Sequence, residues 1–153
     1  MYACKILFFM LSFTYTFRLT ERRGTAINDE KTIKEMRESG EMYLETILIL
    51  SEEKPAVRSI DICEHMGFSK PSVSRAVGKL KADGYILVDK SGFITLTESG
   101  RAIAERIYDR HNTLENIFMI IGVDQPTAED DACKLEHYLS DTTYEALKKY
   151  FKI

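Results

Sequence analysis

At 153 residues the chain has room for one good-sized core or two small helical units, and a hydrophobic share of 44% fits a folded protein. A formal net charge of -3 argues against a chain that coats nucleic acid with general basicity, while leaving room for a local basic face. Cys4, Cys63 and Cys133 are odd in number and lack the spacing of a disulfide framework, so a reducing, cytoplasmic setting is expected.

The chain opens with MYACKILFFMLSFTYTF, Met1 to Phe17, an apolar run behind a single lysine. It has the look of a signal peptide, but no small-x-small cleavage pattern follows promptly. The run is also short of the ~20 apolar residues that span a bilayer, so no membrane association is expected. Two readings stay open for residues 1–35: an accessory segment, or an extension lying upstream of a true start at Met36. Leu19 to Arg37 is polar and charged and reads as a linker or a solvated helix start, which puts the beginning of the fold near Gly40.

From Glu41 to Ser51, Leu44, Ile47, Leu48 and Ile49 recur at helical spacing, and Met42 and Glu45 lie three apart on a neighbouring face. Pro55 interrupts this helix. Ser59 then offers an N-cap for a short helix through IDICEHM that ends at Gly67, and Ser69 caps the next. In SKPSVSRAVGKLKADGY, Val73, Val77 and Leu80 point inward while Ser72, Arg75 and Lys79 share the outer face. Helix, glycine turn, helix is a helix-turn-helix pattern. YILVD and FITL around KSG form a hairpin directly behind it, in the place of a wing.

Thr97 can cap a long helix whose stripe runs Ile103, Ile107, Leu114, Phe118 and Ile121, with His111 on the same stripe and Gly122 closing it. A further helical block starts around Pro126 and continues through KLEHYL, and DTTYEALKKYFK reads as one more helix.

Two groups of residues carry chemistry. Ser69 to Lys81 holds Lys70, Arg75, Lys79 and Lys81 and no acid, so one helix is basic within an acidic protein. Lysine and arginine neutralise phosphates and fix register, while residues near the start of such a helix reach base edges in the major groove. The candidate DNA-binding residues are Ser69, Lys70, Pro71, Ser72, Ser74, Arg75 and Lys79. A solvated surface is the plainer account of any isolated basic helix; the wing and the preceding short helix weigh against it here.

The second group lies in DACKLEH, Asp131 to His137. On one helix Cys133, Glu136 and His137 fall within a face of ~100°, and Glu129 one turn earlier shares it. A thiolate, a carboxylate and an imidazole together suit a first-row transition ion. His111 and Glu115 form an i, i+4 pair on the long helix, and Met42 and Glu45 a third pair on the first, so three helices could meet at one or two ions. Each has a plainer reading: His111 a core histidine, Met42 a core filler, Cys133 a small buried hydrophobe, and the acids at Glu129, Asp130 and Asp131 partners of a helix dipole. Catalysis by Cys133 and His137 lacks a third orienting group and an oxyanion loop, so no enzyme is expected.

The stretches GEMYLETI, SKPSVSRAV, GYI, LTESGRAIA, RH and ACKLEH, from Gly40 onward, make the sequence resemble the metal-dependent repressors of the diphtheria toxin repressor and manganese transport regulator family. The resemblance implies a mainly α protein, a winged helix-turn-helix DNA-binding domain over 36–97 and an all-helical metal-binding and dimerisation domain over 98–153. It further implies a homodimer that binds a double-stranded DNA operator when Fe2+ or Mn2+ is in excess and represses metal-uptake genes. By position, Met42, Cys133, Glu136 and His137 match the activating site of the iron-responsive branch, Glu45 matches a ligand of the manganese branch, and His111 one shared by both. Glu115 matches an ancillary ligand, and Glu129 stands where the iron branch has a histidine. The manganese branch carries Asp at the position of Met42 and Glu at that of Cys133, so the softer donors here lean toward Fe2+. The 153 residues leave no room for the SH3-like third domain of longer members. The competing expectation is a winged-helix regulator of the multiple antibiotic resistance type, sensing a small ligand or oxidation of Cys133 through an apolar pocket between its units. A metal-handling or thiol enzyme would leave the basic helix without a purpose.

Overall fold

The computed structural model describes the backbone of residues 30–153 and the side chains from Arg37 onward. The apolar run Met1 to Phe17 and Cys4 lie outside the described residues. The chain is helical from Glu30: α1 spans Glu30–Glu53, and Gly40, where the fold was expected to begin, lies inside it. Lys, Glu, Met and Arg are good helix formers, so the helix passes through this polar stretch without an apolar stripe to announce it.

After α1 come β1 (Val57–Arg58), α2 (Ser59–Met66), α3 (Lys70–Ala82), β2 (Ile86–Val88) and β3 (Phe93–Leu96). The strands form one antiparallel sheet in the order β1-β3-β2, with Val57 opposite Ile94 and Ile86 opposite Leu96. β1 is too short to show an alternating pattern, so the sequence discloses only the two-stranded wing. Ser59 is not the cap of α2 but its first residue; Arg58 is the N-cap, and its N–H donates to Asp61 Oδ2 at 2.8 Å. Gly67 adopts φ 68, the left-handed conformation that ends α2 and turns the chain into α3. Ser69 Oγ accepts from the Ser72 N–H at 3.4 Å as the cap of α3. Ile47, Ile62, Val73 and Ile86, each essentially excluded from solvent, centre the core of this unit.

Thr97 caps α4 (Glu98–Ile120) by accepting from the Gly100 N–H at 3.2 Å. Gly100 is required by packing, since a Cβ at this position would lie 2.0 Å from the carbonyl oxygen of Tyr85. The buried face of α4 ends on Ile117, whereas Ile121 is 61% exposed as the C-cap. By angle Ile121 still falls between Leu114 and Ile117, so its place past the last helical turn, and not its face, leaves it exposed. α5 (Gln125–Leu135) and α6 (Asp141–Phe151) follow, capped by Asp124 and Ser140. DACKLEH is therefore not one helical turn: α5 ends at Leu135, Glu136 is its C-cap, and the Tyr138 N–H donates to the Leu135 carbonyl in a tighter turn carrying His137.

Candidate metal centre and nucleic-acid interface

Residues Glu41 to Leu48 of α1 are all buried, because the helix is covered on both sides. Tyr43, Leu44 and Ile47 face the core of the winged unit. At 100° per residue Glu38, Glu41 and Glu45 fall within about 60° of one another on the other side. That acidic face meets the end of α5 and the turn after it, residue against residue. Tyr138 Oη donates to Glu38 Oε2 at 2.9 Å, and Glu41 Oε2 lies 3.0 Å from His137 Nδ1. One turn further along α1, Glu45 comes together with His111 of α4 and Glu136, one ligating atom from each lying within 4.8 Å of the others.

Around this group His111 Nδ1 is 2.8 Å from Glu136 Oε2, and His111 Nε2 is 4.0 Å from Glu115 Oε2. His137 Nε2 lies 3.3 Å from Glu136 Oε1. Glu136 is completely buried, and its Oε1 accepts no hydrogen bond. A buried carboxylate oxygen in that condition is costly in a dry, neutral environment and is satisfied by a cation. Three buried acids, Glu41, Glu45 and Glu136, lie against two histidines, with buried Glu38 beside them on α1. The oxygen, nitrogen, oxygen donor set fits Mn2+ or Fe2+. Burial pulls the His137 imidazole down, but the bond to Glu41 and the charges of Glu136, Glu41 and Glu45 outweigh it and hold its pKa above the ordinary value. Burial pushes the Glu41 carboxyl up, yet His137, Arg37 and Arg106 together hold it below the usual range.

Of the remaining sequence candidates, Glu115, Glu129, Cys133 and His137 stand outside that 4.8 Å group. Met42, 9% exposed, lines a small cavity with Thr46 and Met66 of the winged unit. Cys133 and Glu129 are half-buried on α5, and Glu115 flanks His111 one turn along α4. Sequence reasoning missed Glu38 and Glu41, which look like solvated helix surface, and Arg110. Arg110 is 5% exposed and donates to the carbonyls of Glu136 (3.1 Å) and Leu139 (2.7 Å) and to the carboxylate of Asp141. Its guanidinium lies 5.0 Å from the Tyr144 ring centroid, and Tyr144 Oη in turn donates to Asp109 at 2.6 Å. The spacing of Glu38, Glu41 and Glu45 at i, i+3 and i+7 was the one available signal for the acidic face.

The cleft between α1 and the 136–141 turn is bordered by Arg37, Arg106, Arg110 and Asp141 beside Ile107 and Leu139, so the space between the units carries charge and is not the wholly apolar pocket a small-ligand sensor calls for. On α3, Val73, Val77 and Leu80 are buried, whereas Lys70, Pro71, Ser74, Arg75 and Lys79 are exposed, as is the cap Ser69. Ser72 is half-buried, its hydroxyl 3.0 Å from that of Ser69. The basic stripe thus faces outward beside the wing. Among the described residues no helix is long and apolar enough to cross a membrane.

Residues 35–92 match the family model of the iron dependent repressor N-terminal DNA binding domain, and residues 97–152 that of the iron dependent repressor metal binding and dimerisation domain. The chain is 40% identical over 102 residues to the HTH-type transcriptional regulator MntR of Bacillus pumilus, a match covering 67% of this chain and 71% of that protein. Its fold is similar to that of the manganese regulator SloR (TM-score 0.67, 32% identity) and covers 74% of this chain and 53% of that one. The metal-dependent transcriptional regulator MtsR gives a TM-score of 0.68 at 30% identity over 74% and 53% of the two chains. The chain spans about half the length of these two solved relatives. With both family domains matched in sequence order and the donors of three helices gathered where those domains meet, the chain belongs to the iron-dependent repressor family of transcriptional regulators.

Proposed function

We propose that the chain is a metal-dependent transcriptional repressor of metal-uptake genes, a cytoplasmic homodimer that binds double-stranded operator DNA in response to Mn2+ or Fe2+. The carrying observation is the meeting of Glu45, His111 and Glu136 from three helices within 4.8 Å, with one oxygen of the fully buried Glu136 accepting no hydrogen bond. These three residues hold the ion, and Met42, Glu115, Cys133, His137 and Glu129 are the neighbouring candidates for its remaining positions. When bound, the ion supplies the positive charge that the buried carboxylates lack. Ser69, Lys70, Pro71, Ser72, Ser74, Arg75 and Lys79 form the DNA-reading surface, with the lysines and arginine on phosphates and the helix start toward base edges. The DNA-binding unit occupies 36–97 and the metal-binding and dimerisation unit 98–153. α1 is shared, since it carries Glu45 on one face and core residues of the winged unit on the other.

Fluorescence anisotropy on promoter fragments, with Mn2+ or anaerobic Fe2+ against chelator, tests this reading. Affinity should rise at least tenfold with metal, and His111→Ala should abolish the response while preserving the weak, salt-dependent binding of the free protein. Chelator-insensitive binding of equal strength in both proteins would sink it.

A further inference from the structure

We propose that Glu41 is a positioning residue that fixes which nitrogen of His137 faces the metal centre. The inference rests on the metal-dependent reading above and goes beyond it, since Glu41 stands outside the trio that converges on the ion.

The two ring nitrogens of His137 have different surroundings. Nδ1 lies 3.0 Å from Glu41 Oε2, while Nε2 lies 3.3 Å from Glu136 Oε1, the buried oxygen that accepts no hydrogen bond. All three side chains are nearly closed to solvent, at 7%, 6% and 0% exposure, so water does not compete for either nitrogen. A neutral imidazole carries its proton on one nitrogen and a lone pair on the other. An ionised carboxylate only accepts, so Glu41 selects the tautomer with the proton on Nδ1. The lone pair then sits on Nε2, which lies 3.3 Å from Glu136 Oε1. With the opposite tautomer two lone-pair atoms would face each other across 3.0 Å, and Nε2, the nitrogen nearer Glu136, would be a donor rather than a ligand.

Glu41 is itself held on its other oxygen. Oε1 accepts from Arg106 at 3.1 Å and lies 3.5 Å from Arg37 Nε, which keeps the carboxylate charged and its Oε2 turned to the histidine. A carboxylate behind a ligating histidine orients the ring and raises its basicity, and losing such a partner costs 10- to 100-fold in metal affinity as an order of magnitude. Glu41 precedes Glu45 by one helical turn, so α1 brings a metal donor and an orienting carboxylate to the centre together.

The test combines nitrogen NMR of the full chain, using Cd2+ as a diamagnetic probe, with Mn2+ affinity from competition against a fluorescent chelator. In the unsubstituted protein the Cd2+-loaded His137 should show a slowly exchanging proton on Nδ1 and ligation through Nε2. Glu41→Gln should keep the helical circular dichroism of the parent and bind Mn2+ about 10- to 100-fold more weakly. Ligation through Nδ1, or an unchanged Mn2+ affinity in Glu41→Gln, overturns the assignment. If the substituted protein does not fold, the nitrogen assignment in the parent still decides, because a merely structural Glu41 would not dictate which nitrogen is ligated. Failure of the parent to take up either metal overturns the metal-dependent reading itself, whereas normal uptake with Nδ1 ligated overturns the role of Glu41 alone.

Discussion

Glu136 is buried completely and one of its oxygens goes without a hydrogen bond, so its charge opposes the metal-free fold and favours the metal-loaded one. Glu136→Gln separates the two effects. The amide can still accept from His111 Nδ1, and its NH2 group can donate to neighbouring carboxylates, so the metal-free variant should melt at or above the temperature of the parent. Metal at 100 times its Kd stabilises the parent by about 2.7 kcal/mol through mass action. That increment should vanish in Glu136→Gln, as differential scanning fluorimetry with and without Mn2+ would show. A variant that melts well below the parent without metal would mean that Glu136 is structural in its own right. At this scale the sequence tells much about ligand type and little about support. Glu136, His137 and His111 stand out because donors of unlike chemistry cluster at helical spacing. Glu41 is one glutamate among several on a charged helix, and nothing in its neighbours along the chain separates a face turned to solvent from one turned to another unit.

Among the elements, the junction of β2 and α4 is set by the contact of Gly100 with Tyr85. The Tyr85 carbonyl accepts from the Thr97 N–H at 3.0 Å and lies 3.0 Å from the Thr97 hydroxyl, so strand and helix are joined at the point where no Cβ fits. Gly100→Ala must push the two apart against those bonds, a cost on the order of 1–3 kcal/mol. Urea unfolding should show a lower midpoint with an unchanged slope; a gain in stability, as a helical glycine replaced without strain would give, contradicts the close approach. Sequence periodicity identifies α2 to α6 and the wing because each has a cap, a breaker or an apolar stripe of its own. It misplaces the start of α1 and the end of α5 for opposite reasons. α1 runs on through residues that need no stripe, while α5 stops inside a pattern that could have continued, since its last carbonyls are taken up by a tighter turn.

For the whole molecule, the apolar residues Met119, Ile120 and Ile121 crowd the exposed end of α4 at 40%, 57% and 61% exposure. A dimer whose C-terminal units meet would cover such a surface, and the family domain matched there is one of dimerisation. Replacing Ile120 and Ile121 together by glutamate should move the sedimentation profile from dimer to monomer and weaken operator binding, while Mn2+ uptake at the distant centre stays within a few-fold of the parent. An unchanged profile would place the dimer contact elsewhere. The clamp made by Arg110 acts at this scale too. By holding the carbonyls of Glu136 and Leu139 and the carboxylate of Asp141, it fixes one half of the centre from within the C-terminal unit. Of the trio, Glu45 alone comes from α1, the helix built into the core of the DNA-reading unit, so its approach to that half follows the seating of that unit. A promoter that selects one such seating therefore raises the protein's hold on its ion by the same factor as the ion raises its hold on the promoter. Operator DNA, on this view, is an effector in its own right: a repressor seated on its site should keep its metal at concentrations that would empty it in free solution.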